Sequence, residues 1–241
     1  MGCSATGQEK LQEALQTKGA TYLKKDYQKI QELLLKYKEK LDLRNPNNYD
    51  KKENYMLQEQ IKSGKSNLNY IYNGKKLKAY DEYFKVAFDK SPLVPYRNDF
   101  LIMGLHKLIV QTYNANEGHK ISTIGYDVKH FNKLYYYLYA LRWKIRTAQD
   151  TSGNYLFLTW QNNWQVELQK RLKETPSPTW QTLQELEYIK NNKESIFGPS
   201  NFNFEILITQ MIEHVKNSAK VIGDEPVDLS IDALVSIVLF L

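Results

Sequence analysis

Apolar residues recur at steps of three and four along most of the chain, the spacing that one face of an α-helix requires. The clearest case runs from Asp26 to Leu43. Its apolar stripe, set among lysines and glutamates, consists of Ile30, Leu33, Leu34, Tyr37 and Leu41. Few stretches alternate with period two, so we predict an all-α fold with low strand content. The exception that we allow is the β-branched stretch ISTIGYDV at 121–128.

Further helices are predicted between loops that are rich in proline, glycine and asparagine. Residues 44–50 (RNPNNYD) predict a turn, and residues 96–113 are apolar on nearly all sides, as expected of a central buried helix. Asp127 is placed to cap the helix that follows it. The other predicted helices cover 77–89, a segment from Trp160 to Leu172, 177–193, 205–220 and a final apolar piece, 229–241.

Two stretches resemble the tetratricopeptide repeat, a unit of two packed helices. They are ATYLKKDYQKIQELLLKYKEKLDLRNPNN at 20–48 and YDEYFKVAFDKSP at 80–92. The positions in register with the repeat are Ala20, Tyr22, Asp26 and Tyr27 in the first stretch, and Tyr83, Ala87 and Pro92 in the second. The resemblance implies an irregular array of helical hairpins that leaves a groove for protein segments.

Composition predicts a folded chain with many aromatic residues. Of 241 residues, 42% are hydrophobic, 25% charged and 13% aromatic. We predict a single helical domain over 9–241, preceded by a flexible tether at 1–8, and leave open a sub-boundary near 114–125. The net charge of +6 permits an anionic partner, but the lysines are scattered among glutamates. We therefore interpret them as a solvated surface and expect no nucleic-acid partner.

The only cysteine, Cys3, lies in the opening stretch MGCSATGQEK. This stretch resembles the start of a mature bacterial lipoprotein, in which Cys3 would carry the lipid, although no hydrophobic segment stands before it. Taken literally, it also fits the myristoylation pattern M-G-x-x-x-[ST] at Gly2, with Cys3 holding a second acyl chain such as palmitate. We favour the lipoprotein, because a single cysteine suits a domain in an oxidising envelope. An incidental thiol is the remaining alternative.

Motifs for catalysis or metal binding are missing from the sequence. The histidines are dispersed and form no H-x-x-x-H or H-E-x-x-H pair: His106, His119, His130 and His214. Gly64-Lys65-Ser66 resembles the end of a P-loop, but Glu59 stands where the loop needs its first glycine. We predict no enzymatic activity, no cofactor and no metal. The alternative is a helical hydrolase or metal enzyme that uses the dispersed histidines.

The aromatic run YYYLYALRW at 135–143 is the most distinctive chemical feature. Rings on every side of one helix predict that most of them pack in the core. The functional alternative is a partly exposed aromatic groove beside arginines, suited to a peptide, a glycan or a lipid headgroup. The candidate partner-binding residues are Tyr135, Tyr136, Tyr139, Arg142, Trp143, Arg146, Trp160 and Trp164.

Together these features predict a non-catalytic, lipid-anchored adaptor or scaffold that binds another protein in the bacterial cell envelope. The membrane would be reached through lipid on Cys3, and the domain would face the periplasm or the cell surface. Resemblance to lipoproteins with tetratricopeptide repeats implies an accessory role in assembly or secretion. The alternative of the same class is an N-acylated adaptor on the cytoplasmic face of a membrane.

Overall fold

The computed structural model describes residues 7–115, 128–159, 163–174, 177, 179–191, 193, 202–223 and 226. This part of the chain is mostly helical, which confirms the all-α prediction. The helices are α1 (Gly7–Arg44), α2 (Lys51–Ser63), α3 (Tyr80–Ala87), α4 (Arg97–Thr112), α5 (Val128–Thr147), α6 (Asn163–Glu174), α7 (Trp180–Gln184), α8 (Glu187–Lys190) and α9 (Phe202–Val221). A short antiparallel hairpin, β1 (Ile71–Tyr72) and β2 (Lys75–Lys76), lies between α2 and α3.

Helix α4 forms the centre of the fold. Every residue from Arg97 to Val110 is buried, so the central buried helix predicted over 96–113 is confirmed for 97–110, while Tyr96 before the helix is exposed. A helix that is apolar on nearly all sides has to be surrounded by other elements. Helices α1, α2, α3 and α5 pack around α4, while α9 packs along α1 and α5.

The long helix α1 buries the whole apolar stripe that its sequence predicts, from Ile30 to Leu41. The tetratricopeptide-like arrangement is not confirmed. The resemblance implies a turn near Asp26 and Tyr27, but α1 continues through both residues as one helix. The physical reason is that no proline or glycine interrupts the chain between 20 and 44.

Helix α2 and the β1–β2 hairpin lie outside the predicted elements. Asp50 caps α2 by accepting hydrogen bonds from the N–H groups of Lys52 and Glu53, at 2.8 and 2.9 Å. The hairpin turns at Asn73 and Gly74, both with positive φ, the pattern that a two-residue hairpin turn favours. Both features therefore follow from short local sequences.

Other predicted boundaries differ from the observed ones. The helix predicted over 77–89 begins only at Tyr80, and the one predicted over 177–193 forms two short helices, α7 and α8. The strand allowed at 121–128 and the final piece at 229–241 include almost no described residues. None of the described helices combines the length and the hydropathy that a membrane span needs.

A buried ion-pair cluster joins three helices. Lys38 of α1 lies 2.7 Å from Asp42 Oδ2 and 2.8 Å from Asp99 Oδ1 of α4, and its side chain is completely buried. The second carboxylate oxygen of Asp99 accepts a hydrogen bond of 2.7 Å from the N–H of Asp50, just before α2. Burial raises the pKa of Asp99 above its usual value although the Lys38 ammonium lies against it.

We expect Lys38→Met to lower the free energy of unfolding by about 3–5 kcal/mol, because two buried carboxylates would lose their counter-charge. Lys29→Met is the matched control, since Lys29 pairs with Glu32 at the surface of the same helix and should have a much smaller effect. Urea unfolding of both variants measures the difference. Equal losses from the two substitutions would contradict a structural role for the buried cluster.

Candidate functional site

The aromatic run of α5 extends from the core to the surface. Tyr135 is only 2% exposed, and its ring centroid lies 4.9 Å from that of Tyr139 and 5.6 Å from that of Tyr136. Tyr136 and Tyr139 are half-buried. Trp143, near the end of the helix, is 55% exposed. The first part of the run therefore packs, and the last part presents an indole ring at the surface.

The two arginines of the candidate set join α5 to α9. Arg142 Nε and Arg146 Nη1 each lie 3.6 Å from a carboxylate oxygen of Glu205. Arg142 also lies over the Tyr139 ring, 5.0 Å from its centroid, and donates a hydrogen bond of 3.3 Å to Thr209 Oγ1. Both arginine side chains remain partly exposed, at 33% for Arg142 and 39% for Arg146.

A surface groove of about 570 Å³ lies between the end of α5 and α6. It brings together two of the predicted residues, Arg146 and Trp164. Its wall also includes Gln149, Tyr155, Gln165 and Leu168. Trp160 lies outside the described residues.

Trp143 lies on the same side of α5 as the residues that enter the groove. Thr147, which also lines the groove, donates a hydrogen bond of 3.0 Å to the carbonyl of Trp143 one helical turn earlier. Trp143 is exposed one helical turn before Thr147, and it is not among the residues that line the groove.

The groove combines aromatic contact area with amide hydrogen-bonding groups. Tyr155 and Trp164 supply rings, Leu168 an apolar contact, and the glutamines both donors and acceptors. The volume falls in the range of ordinary ligand sites. The sequence gives no indication of Gln149 or Gln165, since glutamine is common on solvated helices.

Helix α6, which forms one wall of the groove, packs chiefly on α8. Glu167 holds this contact: its carboxylate accepts a hydrogen bond of 2.9 Å from the N–H of Glu187, at the start of α8, and pairs with Arg171 at 3.0 Å. None of the described side chains of α6 is fully buried. The wall is therefore attached to the rest of the molecule less firmly than the central helices are.

One cluster contains the residue types of a hydrolase triad in a different order. His214 Nδ1 donates to Asp26 Oδ1 at 2.8 Å, and Ser218 Oγ donates to Asp26 Oδ2 at 3.0 Å. Tyr113 Oη lies 2.7 Å from Ser218 Oγ, and Ser218 is fully buried. A nucleophilic serine has to give its proton to the imidazole, but here it bonds to the carboxylate. The cluster joins α1, α4 and α9.

Of the other histidines in the sequence, His119 lies outside the described residues. Among the residues that the structure describes, no three His, Cys, Asp or Glu side chains are grouped to hold a metal ion. His106 is buried, and its Nε2 donates to the carbonyl of Lys65 at 2.5 Å, since a carbonyl only accepts. Burial lowers the pKa of His106 to about 4. His106 therefore fastens the segment after α2 to α4.

No protein-family model, curated protein or solved structure matches the chain. Function is therefore inferred from the residues and their geometry.

The burial of His106 predicts a loss of stability in acid. Its pKa is 6.5 in a model compound and about 4 in the folded protein, so the unfolded state binds more protons between these values. The free energy of unfolding should fall by about 3 kcal/mol through this residue as the pH drops from about 6.5 to about 4. His106→Gln, which keeps a donor for the Lys65 carbonyl, should remove this part of the pH dependence.

Urea unfolding at pH 7.5 and pH 4.5 measures the effect. His130→Gln is the control, because His130 is exposed on α5 and should leave the pH dependence unchanged. A His106→Gln variant with the same pH dependence as the original protein would show that His106 is not held neutral.

Proposed function

We propose that this chain is a non-catalytic, lipid-anchored adaptor of the bacterial cell envelope that binds a segment of a partner protein between α5 and α6. One observation carries this proposal: Trp164, Tyr155 and Arg146 converge with amide side chains in one surface groove. Trp143, one helical turn before the groove residue Thr147, offers a further exposed indole ring on α5. Aromatic and arginine side chains supply most of the binding energy at protein interfaces.

The chemistry of the groove favours a peptide. Amide side chains such as Gln149 and Gln165 can pair with main-chain N–H and C=O groups, while Leu168 and the rings accept apolar side chains. Among the described residues of the lining, Arg146 alone is charged, and Glu205 already pairs with it. An anionic headgroup or a nucleic acid would call for several free cations instead.

Binding rather than catalysis is supported by the arrangement of the polar clusters. Ser218 is buried and bonds to Asp26, so it does not serve as a nucleophile for His214. His106 is enclosed in the core. The buried carboxylates Asp42 and Asp99 share Lys38 in a cluster that joins helices. Each group has a structural partner that accounts for its position.

The lipid anchor is supported by the sequence. Cys3 is the only cysteine and is followed by small polar residues, as in mature lipoproteins. The helical domain in this proposal is held at a membrane by its N-terminal end, which leaves the groove available to a partner in the envelope.

Photocrosslinking in cells tests the proposal. A benzoylphenylalanine in place of Leu168 in the groove should give a discrete crosslinked species with one partner protein in the membrane fraction. Tyr55, 69% exposed on α2, provides the control position and should give none. Trp164→Ala should reduce the Leu168 crosslink by at least about fivefold. Equal crosslinking from both positions would contradict binding in the groove.

The same cells test the anchor. Cys3→Ser should move the protein to the soluble fraction, and intact mass should show a diacylglyceryl group on Cys3. A myristoyl group on Gly2 would instead support the adaptor on the cytoplasmic face. An unmodified Cys3 in a soluble protein would contradict lipid anchoring in either form.

A further inference from the structure

A second cavity, of about 440 Å³, lies where the starts of α2 and α4 meet the segment before β1. Three carboxylates line it, from Asp50, Glu53 and Asp99, and no lysine or arginine lines it in the part of the chain that the structure describes. Aromatic rings face the same space, with the Tyr70 and Phe100 centroids 5.9 Å apart at 90°. The cavity is therefore both acidic and aromatic.

The carboxylates of this cavity are held in place by bonds that leave excess negative charge. Asp99 shares the single ammonium of Lys38 with Asp42, so this buried cluster has a net charge of −1 when all three groups are ionised. Asp50 is fixed by the N–H groups at the start of α2 and by the Tyr96 hydroxyl, and these bonds outweigh its partial desolvation to lower its pKa. Glu53 adds a further negative charge.

The hydroxyl of Tyr70 is buried and has no hydrogen-bond partner among the described residues. Burial, followed by the negative charges of Asp99, Glu53 and Asp50, raises the pKa of Tyr70, so it remains a neutral phenol near these carboxylates. A buried hydroxyl without a partner costs free energy that a bound donor would recover. This observation is independent of the acidic charge, and the phenol oxygen can accept a hydrogen bond from a ligand with N–H groups.

We propose that this cavity binds an organic cation with a short aliphatic stem, either a free amine or a lysine or arginine side chain of a partner. Its ammonium or guanidinium group pairs with Glu53 and Asp50 and donates to Tyr70 Oη. Nearby aromatic faces stabilise the same charge. The stem packs against Met56 and Leu68, which line the cavity.

Organic rather than metallic cations fit this lining. The carboxylates do not form a group that would hold a metal ion among the described residues. Hard metal ions require several oxygen ligands around one point, whereas much of this wall is apolar or aromatic. An alkylammonium ion can pair its charged group with the carboxylates and pack its alkyl chain against the apolar wall.

Isothermal titration calorimetry of the full chain with butylammonium chloride tests the proposal, with 1-butanol as the uncharged probe of similar size. Butylammonium should bind at least about tenfold more tightly than butanol. Glu53→Gln should weaken butylammonium binding by about tenfold, because it removes a charge-assisted pair. The matched control is Glu59→Gln on the same helix, where Glu59 pairs with Lys62 at the surface, and it should leave binding unchanged.

Tyr70→Phe should also weaken binding, since it keeps the ring and removes the hydroxyl. If the Tyr70→Phe variant fails to fold, Glu53→Gln still tests the proposal. An acetylated and amidated Gly-Lys-Gly peptide separates the two sources of the cation: tighter binding than butylammonium supports a partner side chain, and equal or weaker binding supports a free amine. No binding of butylammonium at 20 mM, equal binding of butanol, or equal effects of Glu53→Gln and Glu59→Gln would overturn the proposal.

Discussion

Helix α4 is buried from Arg97 to Val110, and each charged side chain within that span needs a partner inside the protein. Arg97 donates to the carbonyls of Ala87 and Ser91 and so holds the end of α3 and the loop after it. Asp99 holds Lys38 of α1 and the start of α2. Through these bonds, α4 fixes the positions of α1, the start of α2 and the end of α3.

The second half of α4 likewise holds the loop between α2 and β1 by hydrogen bonds. His106 and Lys107 bond to the segment after α2, with Lys107 Nζ 3.2 Å from the carbonyl of Ser66 and 3.0 Å from Asn69 Oδ1. This segment leads directly to Tyr70 and the acidic cavity that Asp50, Glu53 and Asp99 line. The position of the cavity therefore depends on how α4 satisfies its own buried polar groups. The position of the groove between α5 and α6 depends less on the buried polar groups of α4, since α6 packs chiefly on α8.

Periodicity predicts the elements that bury a continuous apolar face, and it fails where partners are distant in sequence. The stripe of α1 and the buried segment 96–113 are confirmed because local spacing alone defines them. Lys38 has the pattern of an ordinary solvated lysine, and its partner Asp99 lies 61 positions away. The aromatic run predicts both packing and exposure, but sequence alone does not separate Tyr135 from Trp143. The acidic cavity combines residues of three separate segments, so no local motif indicates it.

A firmly packed body built on α4 carries the groove between α5 and α6, and we infer that the α6 wall of this groove is held more loosely, because α6 packs chiefly on α8. Amide hydrogen exchange of the full chain measures this most directly, because it gives an opening free energy for each segment. We expect the amides of α4 to exchange only through global unfolding, and those of α6 to exchange through local opening at a clearly lower free energy. Amides of α6 that are as strongly protected as those of α4 would contradict a loosely held wall, since α6 would then be packed as firmly as the core helices.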